Sequence, residues 1–131
     1  MKDEDYKSAI NKFDKAIEIN KNYSEAYFYR GTSKLRNYDF DSALEDYNRA
    51  IEIEPLYMEA YSNRAYTRIR KYEFKNSRVL KSNSSVTVLA TNDNIEIPKD
   101  EKAKICDDLK KGYDLGDKQK MITDAIETYC K

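Results

Sequence analysis

Between residues 24 and 53 apolar and small side chains recur at spacings of three and four, the period of helices that bury one stripe. Ala26, Tyr27, Arg30, Gly31 and Lys34 share a stripe over residues 24–37. Phe40, Ala43, Leu44, Tyr47, Ala50 and Ile51 share another over residues 39–53. The pattern predicts two paired helices. Gly31 and Ala43 lack bulk where the helices approach, and Tyr27 and Tyr47 fill the space on either side. Pro55 ends the second helix, because it has no N–H and disfavours helix in the residue before it. Gly31 costs its helix about 1 kcal/mol relative to Ala, so close packing is the expected reason for it.

The same pattern returns when the sequence is shifted by 34 residues. Tyr6 then falls on Phe40, Ala9 on Ala43, Phe13 on Tyr47 and Ala16 on Ala50. Further on, Ala26 falls on Ala60, Tyr27 on Tyr61, Arg30 on Arg64, Tyr38 on Tyr72 and Phe40 on Phe74. One domain of repeated helix pairs follows: a half unit at 5–20, a complete unit at 24–55, and a third unit that starts at 58–74. The half unit has a second helix and no first. It reads as part of a longer array rather than a native cap, because the apolar positions from Tyr6 to Ile19 would otherwise be covered on one side only.

After Phe74 the helical period dissolves, and Ser, Asn, Thr and Val dominate to Pro98. Residues 85–90 and 94–97 alternate in the β-branched manner, with the turn cluster Thr91-Asn92-Asp93 between them. A β-hairpin or an irregular loop is expected, inserted at about 75–102. Helix resumes near Lys99, and residues 104–115 complete the interrupted unit. Gly116 serves as the residue just past the helix end. Residues 118–131 form a terminal capping helix with Met121, Ile122, Ala125, Ile126 and Tyr129 on one face.

Composition narrows the chemistry. Lys and Arg number 24 and Asp and Glu 24, so no long-range pull toward nucleic acid or an anionic membrane is expected. Histidine is absent, which removes the commonest general base and neutral metal ligand. No nucleophile sits beside a base, the two cysteines are too few for a metal site, and Gly112 and Gly116 make no phosphate loop. The carboxylates of Asp39/Asp41, Glu45-Asp46 and Asp107-Asp108 read as solvated faces, since neighbours on a helix point in different directions. A non-catalytic protein without catalytic residues, cofactor or metal is expected. No apolar run nears the roughly 18 residues that cross a bilayer, and the acidic start lacks an apolar signal region. As written the chain is expected in the cytoplasm.

Tyr27, Arg30-Gly31, Ala43, Tyr47, Ala50 and Pro55 together resemble the tetratricopeptide repeat, whose pattern runs aromatic, Leu-Gly, Tyr, Ala, aromatic, Ala, Pro. Arg30 stands for the usual Leu and Lys34 for the usual Tyr; their stems can cover apolar surface while the charge reaches water. Residues 105–117 are similar to the Cys-acidic-Asp-aromatic-Lys-Lys-Ala-x-x-Leu-Gly pattern that closes bacterial proteins of this kind. The resemblance implies an all-α, right-handed α-solenoid of antiparallel helix pairs. It also implies a module for protein–protein interaction that holds a peptide or protein segment in a concave groove.

By the family's register the inward positions are Glu25, Phe28, Thr32 and Leu35 on one first helix and Glu59, Ser62, Tyr66 and Ile69 on the next, with Arg36 and Arg70 at the rim. Asn63 matches one residue of the clamp by which some members hold a C-terminal carboxylate. Its counterpart is Tyr29, so that clamp is incomplete. Two other roles stay open: a structural segment docking on a larger chain or a second copy of itself, and partner binding through the insertion. Cys106 and Cys130 fall at the open end of the hairpin about Gly116. They either form a disulfide that staples the terminal helix, implying export to a compartment such as the periplasm behind a leader, or remain buried thiols in a reducing cytosol.

Overall fold

A computed structural model describes residues 3–82 and 96–131. Among them lie α1 (Asp3–Ile19), α2 (Ser24–Arg36), α3 (Phe40–Ile53), α4 (Met58–Ser82), α5 (Lys99–Asp114) and α6 (Lys120–Tyr129), with no strand. Each helix packs on the next in chain order, as in a tetratricopeptide-like α-solenoid. Helices α2 and α3 form one pair, and α4 and α5 the next.

Two apolar clusters hold the stack. Phe28, Ala43, Tyr47, Ala50 and Ala60 form the first, with Tyr27, Leu35, Ile51 and Tyr57 packed around it. The alanines let backbones approach, and Gly31 extends the same logic. A Cβ there would sit 3.1 Å from Asp46 Cβ, 3.1 Å from Tyr47 Cε1 and 3.2 Å from the Ala43 carbonyl oxygen. Ala65, Ile69, Ile105, Leu109 and Ile122 form the second cluster, which draws on α4, α5 and α6 together.

The helix ends are built by two unlike residues in the same turn geometry. At α5, the Gly116 N–H donates to Tyr113 O (3.0 Å) and the Asp117 N–H to Gly112 O (2.9 Å), with Gly116 at φ 125°. This is the Schellman arrangement expected of a glycine past a helix end. At α2 the Tyr38 N–H donates to Leu35 O (3.0 Å) and the Asp39 N–H to Lys34 O (2.9 Å), and here Tyr38 itself adopts φ 64°. A left-handed conformation costs a residue with a Cβ roughly 1–2 kcal/mol. Aromatic packing offsets that cost, since the Tyr38 ring stacks on Phe74 at 5.3 Å and meets Phe40 edge-on at 6.3 Å.

The third unit departs from the sequence expectation. Tyr72 is the repeat partner of Tyr38, yet α4 runs straight through it and past Lys75 to Ser82. No Gly or Pro stands in residues 75–82 to stop it, and Phe74 pins the helix against Phe40 at 5.6 Å. At its other end helix resumes at Lys99, where the sequence placed it, with Pro98 as the residue before the helix and its carbonyl accepting from the Lys102 N–H at 2.8 Å. Residues 85–90, the first arm of the expected hairpin, lie outside the described residues. In the second arm, Ile97 lies outside any strand and packs on the second apolar cluster.

Candidate binding cleft

The first helices of the pairs are set in place by a motif that repeats with the fold. Arg30 of α2 forks onto Asp46 of α3, Nε to Oδ2 at 2.9 Å and Nη2 to Oδ1 at 2.7 Å, while its Nη1 donates to Asp14 of α1 at 2.9 Å. Arg64 of α4 does the same one unit later. It forks onto Asp108 of α5 with two 2.7 Å bonds and donates to Asn48 of α3 at 3.0 Å. Lys34 adds a second cation to Asp46 at 3.0 Å, and Arg68 a second to Asp108 at 2.8 Å. A planar guanidinium matches a carboxylate in two parallel bonds, so each first helix is keyed to the second helices on both sides.

This corrects two expectations. Asp46 and Asp108 are buried at 4% exposure each, whereas the Glu45-Asp46 and Asp107-Asp108 pairs read as solvated faces. Only the first member of each pair points outward; the second meets a cation. Nor do the charges of Arg30 and Lys34 go to water, because both turn onto Asp46. The bond to Asp46 accordingly raises the Arg30 pKa.

Phenol groups repeat in the same register. Tyr27 donates to Lys21 O at 3.1 Å and Tyr61 to Pro55 O at 2.7 Å, tying each first helix to the loop before it. Their rings lie under Arg30 and Arg64 at 5.4 and 5.6 Å.

On the inner side of this frame a cleft of about 480 Å³ runs along α4 from Met58 to Arg70. Thr32, Leu35 and Arg36 of α2 form one wall, and Gln119 with Met121, Ile122 and Ala125 of α6 the other. Glu59, Ser62, Asn63, Tyr66, Ile69 and Arg70 of α4 make the floor, and Tyr6 and Tyr38 also line it. Tyr66 is 42% exposed and Met121 59%, so the apolar surface is open to solvent. The polar floor is tied down: Asn63 Nδ2 lies 3.4 Å from Thr32 Oγ1, which shares a hydrogen with the Tyr47 hydroxyl at 2.9 Å. Burial pushes the Tyr47 phenol pKa up despite these bonds. Ser62 donates to Asp117 at 2.7 Å, fixing the turn that delivers α6.

Two of the expected groove residues lie elsewhere. Phe28 is buried at 7% exposure, boxed by Tyr57 at 4.9 Å, Tyr29 at 5.1 Å and Tyr47 at 5.7 Å. It belongs to the first apolar cluster, and Tyr57 of the loop before α4 stacks on it. Glu25 borders a second hollow with Glu54, Leu56 and Tyr57; Met58 and Glu59 line both spaces. Burial raises the Tyr57 pKa, and the nearby Tyr29, Glu25, Glu59 and Glu54 raise it further, so this end of the surface is electronegative. Ile69 and Ser62 reach the cleft at only 7% and 6% exposure, so they shape it more than they offer surface.

Sequence reasoning missed the α6 wall. Its signal was present in Gly116, since a chain that turns there places its next helix where the following first helix of the array would stand. The same turn brings Cys106 and Cys130 together, with Cα atoms 5.1 Å apart and their sulfurs in bonding contact. Among the described residues no group of three His, Cys, Asp or Glu side chains converges as a metal site, and no helix is long and apolar enough to cross a membrane.

Compared with known proteins, residues 24–57 match the tetratricopeptide repeat family. No curated protein matches the chain. The matched segment is α2, α3 and the loop into α4, the pair keyed together by Arg30 and Asp46. Tetratricopeptide repeats are generally protein–protein interaction modules, and residues 24–57 of this chain are similar to one.

Proposed function

We propose that the cleft between α2, α4 and α6 holds a peptide or protein segment of a partner. The observation that carries this reading is the group of open apolar side chains Tyr66, Leu35 and Met121 in the cleft, framed by first helices whose positions are fixed by buried ion pairs. A preorganised groove loses less ordering entropy on binding than a mobile one, and exposed aromatic and thioether side chains supply contact area for varied apolar residues.

Tyr66→Glu tests the cleft. Tyr66 is exposed and makes no hydrogen bond among the described residues, so the variant should fold as the parent does, whereas Phe28→Glu would place a charge in the first apolar cluster. In affinity capture, Tyr66→Glu should lose the partners recovered by the parent, and Glu45→Lys on the outer face should keep them. Recovery of the same partners by Tyr66→Glu would count against the cleft.

A further inference from the structure

The charges around the cleft are arranged in register with the repeat. Glu25 and Glu59 are equivalent residues, each in the first turn of its helix, and Arg36 and Arg70 are equivalent residues farther along. Glu54 joins the two glutamates at one end. At the other end Arg36 is exposed and has no ion pair among the described residues, while Arg70 bonds Glu73 at 3.0 Å in a half-buried pair. A pair three residues apart on one helix contributes little, so Arg70 can exchange it for a partner's acid.

A first-turn acid and a last-turn base also complement the helix dipole, and for α2 that alone could place Glu25 and Arg36. It does not account for Arg70. Helix α4 continues to Ser82, so Arg70 stands in its interior, far from the carbonyls of its end. What Arg36 and Arg70 share is the cleft, which both line.

The separation sets the length of an occupant. Eleven helical residues from glutamate to arginine span about 16 Å at 1.5 Å per residue, the reach of roughly five extended residues. An extended segment of that length reaches from one charged end of the cleft to the other.

We infer that the cleft selects an extended segment of about five residues that carries a basic group at one end, an acidic group at the other, and apolar side chains between. The basic end lies at Glu25, Glu54 and Glu59, the acidic end at Arg36 and Arg70, and the centre over Tyr66. This inference rests on the cleft being a peptide site and adds its polarity.

The test uses pools of capped six-residue peptides with four mixed apolar positions between fixed ends: lysine with glutamate, lysine at both ends, or glutamate at both ends. Binding is read by fluorescence polarisation at low and high salt. The mixed-charge pool should bind about fivefold tighter than either like-charged pool, and the advantage should shrink in high salt. In the double variant Glu25→Lys with Glu59→Lys, both ends become basic, and the preference should move to the pool with two glutamates. These two glutamates are exposed, and circular dichroism checks that the fold is kept. Equal binding of all three pools, reduced by Tyr66→Glu, would overturn the polarity and leave the peptide cleft standing. No binding by any pool, or binding untouched by Tyr66→Glu, would overturn both.

Discussion

Asp46 has an importance its surroundings in the sequence do not advertise. It accepts a fork from Arg30 and a further bond from Lys34 while 4% exposed. Removing one partner of a buried pair leaves the other charge uncompensated. Asp46→Ala should therefore cost about 3 kcal/mol in urea unfolding, whereas Asp14→Ala, at an acid whose side chain is 44% exposed, should cost less than about 1 kcal/mol. At Gly31 two effects oppose each other. Alanine would gain about 1 kcal/mol of helix propensity, but its Cβ would press on Asp46, Tyr47 and the Ala43 carbonyl. Backbone cannot yield as a side chain can, and overpacking costs about 1–3 kcal/mol, so Gly31→Ala should lower the urea midpoint. Tyrosine ionisation gives a third test. The folded pKa of Tyr47 is raised by burial, so its contribution to stability is intact below the ordinary tyrosine value of about 10. It is lost as pH rises above that value, because the unfolded chain then releases a proton that the fold retains. Tyrosinate absorbance should show a late, cooperative step that coincides with loss of helicity.

At the scale of elements, α1 to α3 were legible because their apolar period is unbroken and Pro55 and the loop residues punctuate it. The end of α4 was not. Tyr72 repeats Tyr38, and a repeat predicts a turn at both, but the turn at Tyr38 depends on a left-handed residue held by stacking on Phe74. That support comes from another helix, so local sequence cannot report it. Residues 75–82, mostly polar, likewise look like loop by composition although nothing in them breaks a helix. The burial of Asp46 and Asp108 was hidden for a related reason: spacing tells which face a carboxylate takes, and only tertiary packing supplies the cation. The cleft residues were read from family register, which is blind to Tyr57 covering Phe28 and to α6 as a wall. Helix α6 carries its own test. Joining Cys106 to Cys130 closes a loop of 24 residues, worth about 3 kcal/mol in the chain-entropy estimate. If the bond forms, thiol-blocking assays should find no free thiol before reduction, and reductant should speed amide exchange in α6 well before α2 and α3.

Across the whole molecule the two apolar clusters divide the stack into neighbouring units, as in arrays whose stability sums over repeats and their interfaces. Leu109, 2% exposed, belongs to the second cluster. Leu109→Ala should cost about 2–5 kcal/mol there, and hydrogen exchange should show α5 and α6 opening while α2 and α3 keep most of their protection. The ion-pair motif has a consequence for growth of the chain. Arg30 addresses an acceptor on the helix before its pair and one on the helix after, and Arg64 addresses Asn48 and Asp108 in the same way. A second copy of residues 24–57 spliced in tandem would bring its own arginine and its own inner aspartate. It would find Asn48 waiting on the copy before it and offer a fresh Asn48 to Arg64. Every connector would be filled without redesign. Such a stack lengthens by duplication alone, and each added unit extends its inner side by one more first helix.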